Sequence, residues 1–199
     1  LAHFLSTECN KKKIPWFGVL GDLILTFSKL LNQEASHIPS GQHVMNEDYY
    51  KKIEAIQFTM NHDDGNSLDD IGKSDIILLG VSRTSKTPTS IYLGERGYKV
   101  SNIPLVLHQE LPERVFKSKA VKIGLTIETG RLTDIRKTRI NILNDKKSSN
   151  YTDQSTIDNE IKESKKMFQS RQIPMIDVTR KSVEETAASI IKIYEITKK

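Results

Sequence analysis

Residues 75–79, Asp-Ile-Ile-Leu-Leu, are apolar at every position after the first and stop at Gly80. A short run with no polar alternation is what a strand needs when helices cover both its faces, and such strands belong to parallel sheets. A parallel neighbour requires a crossover segment. The next residues supply one: a loop over 80–87, a helix expected from Thr87 to Arg96 and closed by Gly97, and a strand pattern from Tyr98 to Val106 before a polar turn around Pro112. This is a βαβ unit.

The rest of the chain continues the alternation. Ile14 to Leu20 reads as a buried strand or strand end, and Asp22 is placed to start an apolar helix to about Leu31. A polar loop with Pro39, Ser40 and Gly41 follows. From Asn46, a plausible cap, apolar residues at 49, 53, 56 and 60 have the spacing of an amphipathic helix. Val121 to Ile127 makes a third strand, and Leu132, Ile135, Ile140 and Leu143 share one side of an arginine-rich helix. After a polar stretch from Asp145 to Ser155, Ile157 to Phe168 reads as a charged surface helix, Ile173 to Val178 as a strand and Ser182 to Ile196 as the closing helix. Ser182 and Glu185 form the pattern of a capping box. The fold class expected is α/β, a mainly parallel sheet with helices on both faces, in which ligands bind beyond the carboxyl ends of the strands.

Composition narrows the function. The chain has 199 residues, 37% hydrophobic and 28% charged, enough to bury a core without a metal or disulfide staple. Its single cysteine, Cys9, forms no intrachain disulfide. The longest apolar run, from Ile14 to Leu25, is about half a membrane span, and Gly21 and Asp22 break it, so neither a spanning helix nor a membrane partner is expected. The opening residues lack a basic segment followed by an apolar core, so no secretory leader is expected, and the location is expected to be cytoplasmic. The net charge of +5 comes with scattered lysine pairs and no interleaved aromatics, which argues against nucleic-acid binding.

The chemistry concentrates after the Asp75 strand. Gly80, Val81, Ser82, Arg83, Thr84, Ser85, Lys86 and Thr87 fit the phosphate-loop pattern G-x-x-x-x-G-K-[ST] at every position except the second glycine, which is Ser85. In such a loop backbone amides face an anion, the helix start adds its positive dipole end, Lys86 reaches the terminal phosphates and Thr87 holds Mg2+. If Ser85 takes a left-handed conformation, the cost is about 1 to 2 kcal/mol. An ordinary strand-to-helix turn could carry the same letters. His62-Asp63-Asp64-Gly65 ends the preceding helix, and an aspartate there could take a proton from an attacking hydroxyl or orient Mg2+; Asp-Asp-Gly is also common turn chemistry.

Ala55 through Gly65, Asp75 through Leu93, Gly97 to Val100, Asn102 to Val106, and Ile176 through Ala187 closely resemble the bacterial and plant pyruvate, phosphate dikinase regulatory proteins, also called phosphoenolpyruvate synthetase regulatory proteins. The resemblance covers nearly the whole chain. It implies a bifunctional serine/threonine kinase and phosphorylase: ADP is used to phosphorylate an active-site threonine of the dikinase, and inorganic phosphate removes that group as pyrophosphate. It also implies catalytic parts for His62, Asp63, Asp64 and Lys86, a nucleotide loop from Gly80 to Thr87, Mg2+ at Thr87 and Asp64 with the division of base and metal ligand between Asp63 and Asp64 left open, and phosphate contacts from Arg131 and Arg136. Asp177 is a further candidate for the cleft.

Family members usually begin with an additional α/β segment, so residues 1–45 are expected to be the remnant of an N-terminal α/β domain and 46–199 the phosphate-loop kinase/phosphorylase domain. The protein partner implied is pyruvate, phosphate dikinase or phosphoenolpyruvate synthetase, and self-association as a homodimer is left open. A small-molecule kinase or nucleotide hydrolase would use the same loop, and a non-catalytic binding module would retain it as a relic.

Overall fold

The computed structural model describes residues 2–18, 20–34, 47–143 and 151–198. The loop expected around Pro39, Ser40 and Gly41, the cap at Asn46 and the 145–150 part of the Asp145 to Ser155 stretch lie outside the described residues, as does the side chain of Leu143. The chain divides into two units, Leu1–Val44 and Met45–Lys199.

In the first unit, α1 (Ala2–Lys11) and α2 (Gly21–Leu31) are the regular elements among the described residues. Asn32, left-handed at φ 50°, closes α2. The strand expected over Ile14 to Leu20 does not form. Residues 14–18 are irregular, and Ile14 and Phe17 are exposed. A strand needs a neighbour to take up its backbone hydrogen bonds, and none stands beside these residues among those described.

The second unit is built on four parallel strands in the order β2-β1-β3-β4, with β1 at Ile76–Gly80, β2 at Val100–Pro104, β3 at Val121–Thr126 and β4 at Met175–Asp177. Every residue of β1 is buried, as its uninterrupted apolar run requires. The strand's two-residue period sends Ile76 and Leu78 into one core and Ile77 and Leu79 into another. On the first face lie Leu93 of α4 (Lys86–Gly94) and Ala187 and Ile190 of α8 (Val183–Lys198). On the second lie Val115 of α5 (Glu113–Lys117) and Phe168 of α7 (Gln154–Ser170). Helices therefore cover both faces, as expected.

The Phe168 ring is seated by the absence of a side chain at Gly124, where a Cβ would come within 2.6 Å of the ring carbons. The capping box before α8 forms reciprocally: Glu185 N–H donates to Ser182 Oγ at 3.1 Å and Ser182 N–H to Glu185 Oε2 at 2.9 Å. Where a turn was expected around Pro112, the five-residue α5 follows it, too short to show a helical period. Among the described residues no helix is long and apolar enough to cross a membrane.

From β1 the chain moves to β2 on one side, and β3 lies on the other, so the connections leaving β1 and β3 diverge. The crevice at their carboxyl ends is where parallel sheets of this kind hold ligands. The loop after Gly80 opens there. α3 (Glu47–Asn61) and the short 3-10 turn Asp63–Gly65 stand beside β2 and bring the acidic turn to the same end.

Candidate active site

The loop between β1 and α4 is shaped by close approach at its start. A Cβ on Gly80 would come within 2.8 Å of both the Leu125 carbonyl and Thr84 Oγ1, so only glycine fits. Thr84, buried, donates to the Val81 carbonyl at 2.9 Å and folds the loop back on itself. Arg83 and Ser85 are both left-handed, at φ 72° and 58°. Ser85 thus adopts the conformation that glycine favours in the phosphate-loop pattern, and it leads directly into α4.

Lys86 begins that helix with a side chain only 5% exposed. Its Nζ donates to the Val81 carbonyl at 3.0 Å. Burial pushes its pKa from the ordinary 10.5 down to about 8; Asp64 and Asp63 nearby pull it up, and Arg136 and Arg83 add to the lowering. An ammonium can donate three hydrogen bonds. Here a buried ammonium reaches back from the start of the helix and, among the described residues, bonds one carbonyl.

Asp63, from the acidic turn, meets Thr87. Thr87 Oγ1 donates to Asp63 Oδ1 at 3.0 Å, with Oδ2 at 3.2 Å. Asn102, in the middle of β2 and fully buried, donates through Nδ2 to Asp63 Oδ1 and to Thr87 Oγ1, the latter at 3.1 Å. Its Oδ1 is buried without a partner. Asn102 was not singled out in the sequence; its signal was a strand-depleted polar residue at the centre of a strand pattern. Asp64 is exposed and left-handed at φ 51°, does not share the Asp63 bonds to Thr87, and acts on Lys86 as a nearby charge.

His62 has a positional part. Its Nδ1 lies 2.7 Å from the Phe58 carbonyl and its Nε2 2.7 Å from Asp70 Oδ1, and the ring stacks on Phe58 at 3.8 Å. Both ring nitrogens are thereby occupied. Its carbonyl accepts from Asn102 N–H at 3.0 Å, which ties the acidic turn to β2.

The two arginines separate. Arg131, in the first turns of α6 (Thr129–Leu143), is exposed, while Arg136 on the same helix is 1% exposed. Arg136 donates to Glu160 at 2.6 Å, to the Ser82 carbonyl at 3.3 Å and to the Tyr151 carbonyl at 3.3 Å, and its guanidinium lies 4.6 Å from the Tyr151 ring centre. Its charge pairs with Glu160, one N–H holds the loop at Ser82, and its Nε is buried without a partner. Tyr151 places its hydroxyl 3.5 Å from Ser82 Oγ and 3.4 Å from Arg83 Nε. Burial raises this phenol, but those hydrogen bonds and the guanidinium of Arg136 outweigh it and leave the phenol below its ordinary value. Asp177 accepts from Thr179 at the end of β4, and among the described residues it bonds nothing in the loop.

No cluster of three or more His, Cys, Asp or Glu side chains among the described residues is placed to hold a metal ion alone. A hydroxyl paired with one carboxylate suits Mg2+, which keeps most of its waters and takes phosphate oxygens as further ligands. Thr87 and Asp63 form such a pair. Of the two adjacent aspartates, between which the sequence leaves base and metal ligand open, Asp63 rather than Asp64 is the one the Thr87 hydroxyl faces.

Residues 1–191 match the kinase/pyrophosphorylase family. The chain is 63% identical over 200 residues to a protein of Pelagibacter ubique (strain HTCC1062) provisionally named pyruvate, phosphate dikinase regulatory protein, with all of this chain and 73% of the relative covered. Relatives with the same name in Wolbachia sp. subsp. Brugia malayi (strain TRS) and Erythrobacter litoralis (strain HTCC2594) are 44% and 42% identical, covering 98% and 96% of this chain and 72% and 69% of their own lengths.

Proposed function

Since the chain belongs to the kinase/pyrophosphorylase family, we propose that it regulates pyruvate, phosphate dikinase, or the related phosphoenolpyruvate synthetase, by moving a phosphoryl group on and off a threonine of that enzyme. In the forward direction the threonine oxygen bonds to the β-phosphorus of ADP, the bond to the bridging oxygen breaks, and AMP leaves. In the reverse sense an oxygen of inorganic phosphate attacks the phosphothreonine phosphorus, and pyrophosphate leaves with the threonine hydroxyl restored. Both steps place an anionic diphosphate in one cradle.

The observation that carries this reading is Lys86, buried at the start of α4 with its pKa lowered chiefly by desolvation. A diphosphate supplies acceptors and further negative charge to an ammonium that bonds one carbonyl, and the first amides of α4 offer it the positive end of the helix dipole. Asp64, exposed on the acidic turn Asp63–Gly65, takes the proton of the attacking hydroxyl. Thr87 and Asp63 would hold Mg2+, with Asn102 bonded to both side chains. When bound, the ion neutralises charge on the transferring phosphoryl oxygens. His62 and Arg136 act behind this group, the first setting the acidic turn and the second the loop.

The test is incubation of the chain with ADP and the phosphohistidine form of the dikinase, followed by phosphate. Phosphothreonine with equimolar AMP, and then pyrophosphate, is the expected sequence. Absence of phosphothreonine under conditions where ADP is bound would eliminate the dikinase reading.

A further inference from the structure

Beside the phosphate loop, on the face of the sheet covered by α5 and α7, a cleft of about 670 Å3 opens and touches the loop at Val81. Its size lies within the range that seats a ligand or a few side chains. Leu105, Phe116 and Met167 line it and pack against the core beneath. Around them the charge is mainly negative: Glu110, Glu113, Glu160 and Glu163 all line the cleft, against Arg171 and the imidazole of His108.

Part of this charge is matched. Glu160 pairs with Arg136 at 2.6 Å, and Glu113 with Arg171 at 3.7 Å, whose guanidinium also lies 4.2 Å from the Phe116 ring centre. Glu110 and Glu163 are exposed and have no ion pair among the described residues. The surplus is thus negative at a cleft that touches the phosphate loop, where the cations Lys86 and Arg83 stand with Asp63 and Asp64 nearby. A diphosphate is drawn to the cradle and repelled by the cleft, and a chain bearing cations has the reverse preference.

We propose that this cleft seats a short extended segment of the protein acceptor, in which an apolar side chain on Phe116 and Met167 is flanked by lysine or arginine facing Glu110 and Glu163. The identity of the acceptor rests on the phosphotransfer reading above; the chemistry of the cleft does not. The segment's docking beside Val81 sets the acceptor hydroxyl at the edge of the phosphate loop.

The experiment compares a fluorescein-labelled Arg-Leu-Arg-Leu-Arg peptide with Glu-Leu-Glu-Leu-Glu by anisotropy on the whole chain. The proteins are the wild type, Glu110→Lys/Glu163→Lys, and a control with Glu47→Lys/Asp48→Lys on the exposed start of α3. The basic peptide alone binds, its affinity falls at least tenfold in the cleft variant and less than twofold in the control, and ADP affinity stays within twofold. With the dikinase as substrate, the cleft variant raises KM at least tenfold at unchanged kcat. Equal loss in the control, unchanged peptide affinity in the cleft variant, a loss of ADP affinity instead, or an unchanged KM for the dikinase overturns the proposal. If the wild type fails to phosphorylate the dikinase while binding ADP, the regulatory reading falls by itself, and the peptide comparison still decides what the cleft holds.

Discussion

Thr87 donates its hydroxyl hydrogen to Asp63 across 24 residues of chain, and Asn102 donates to both partners from the neighbouring strand. This three-residue junction ties the acidic turn, the first turn of α4 and β2 into one unit. The carboxylate is an acceptor held by two donors, and the hydroxyl is aimed before any ligand arrives.

Replacing Asn102 by alanine removes both of its bonds and leaves the Asp63 carboxylate short of a donor. A hydrogen bond to a charged group contributes about 1.5 to 3 kcal/mol, so a loss of about 2 kcal/mol in stability is expected, read by urea denaturation. Calorimetry should also show weaker ADP binding in Mg2+ than in wild type, with a smaller difference in EDTA. Equal loss with and without Mg2+ would separate Asn102 from the metal side of the site.

Lys86 makes the ligand-free protein sensitive to alkaline pH. Its folded pKa is about 8 and its ordinary value 10.5, so the unfolded chain binds more protons between those limits and stability rises with pH through that window. The burial penalty is fully present below pH 8 and corresponds to about 3 kcal/mol. Lys86→Met should be more stable than wild type at pH 7, and the difference should shrink by pH 9.5. A constant difference across that range would show that the ammonium is not desolvated.

Ser85 holds a left-handed backbone at φ 58°. Glycine adopts this region without a Cβ penalty, so Ser85→Gly should stabilise by about 1 kcal/mol and retain ADP binding, while Ser85→Val should destabilise by more than that. Thermal melts of the three forms order them as Gly, Ser, Val.

His62→Gln separates positioning from proton transfer. The ring's two bonds and its stacking on Phe58 predict a loss of about 2 kcal/mol in stability. A general acid or base contributes about 10^2 to 10^4 in rate. The variant should keep kcat within tenfold at a temperature where it is folded, with the pH profile unmoved; a hundredfold fall and a lost limb would restore His62 to the chemistry.

The sequence made β1 and the loop legible because an unbroken apolar run has few alternatives and Gly80 marks its end. Ile14 to Leu20 misled for a related reason: a short apolar run reads as a strand whether or not a neighbour exists to pair with it. Within the site, adjacency of Asp63 and Asp64 could not say which one faces Thr87, since that depends on the left-handed turn at Asp64. Arg131 and Arg136 look alike as letters on one helix, and only the packing shows that one is exposed and the other sealed against Glu160 and Tyr151. Asn102 carries no periodic signal; its one mark is polarity at the centre of a strand pattern, and its partners lie 39 and 15 residues away along the chain.

The central claim is that the amides and ammonium after β1 close around a diphosphate. Isothermal titration of ADP into wild type and Lys86→Met, at pH 7 with Mg2+, tests it most directly. ADP affinity should fall at least tenfold in the variant while its folding stability holds or rises. Equal ADP affinity in the two forms would contradict the account.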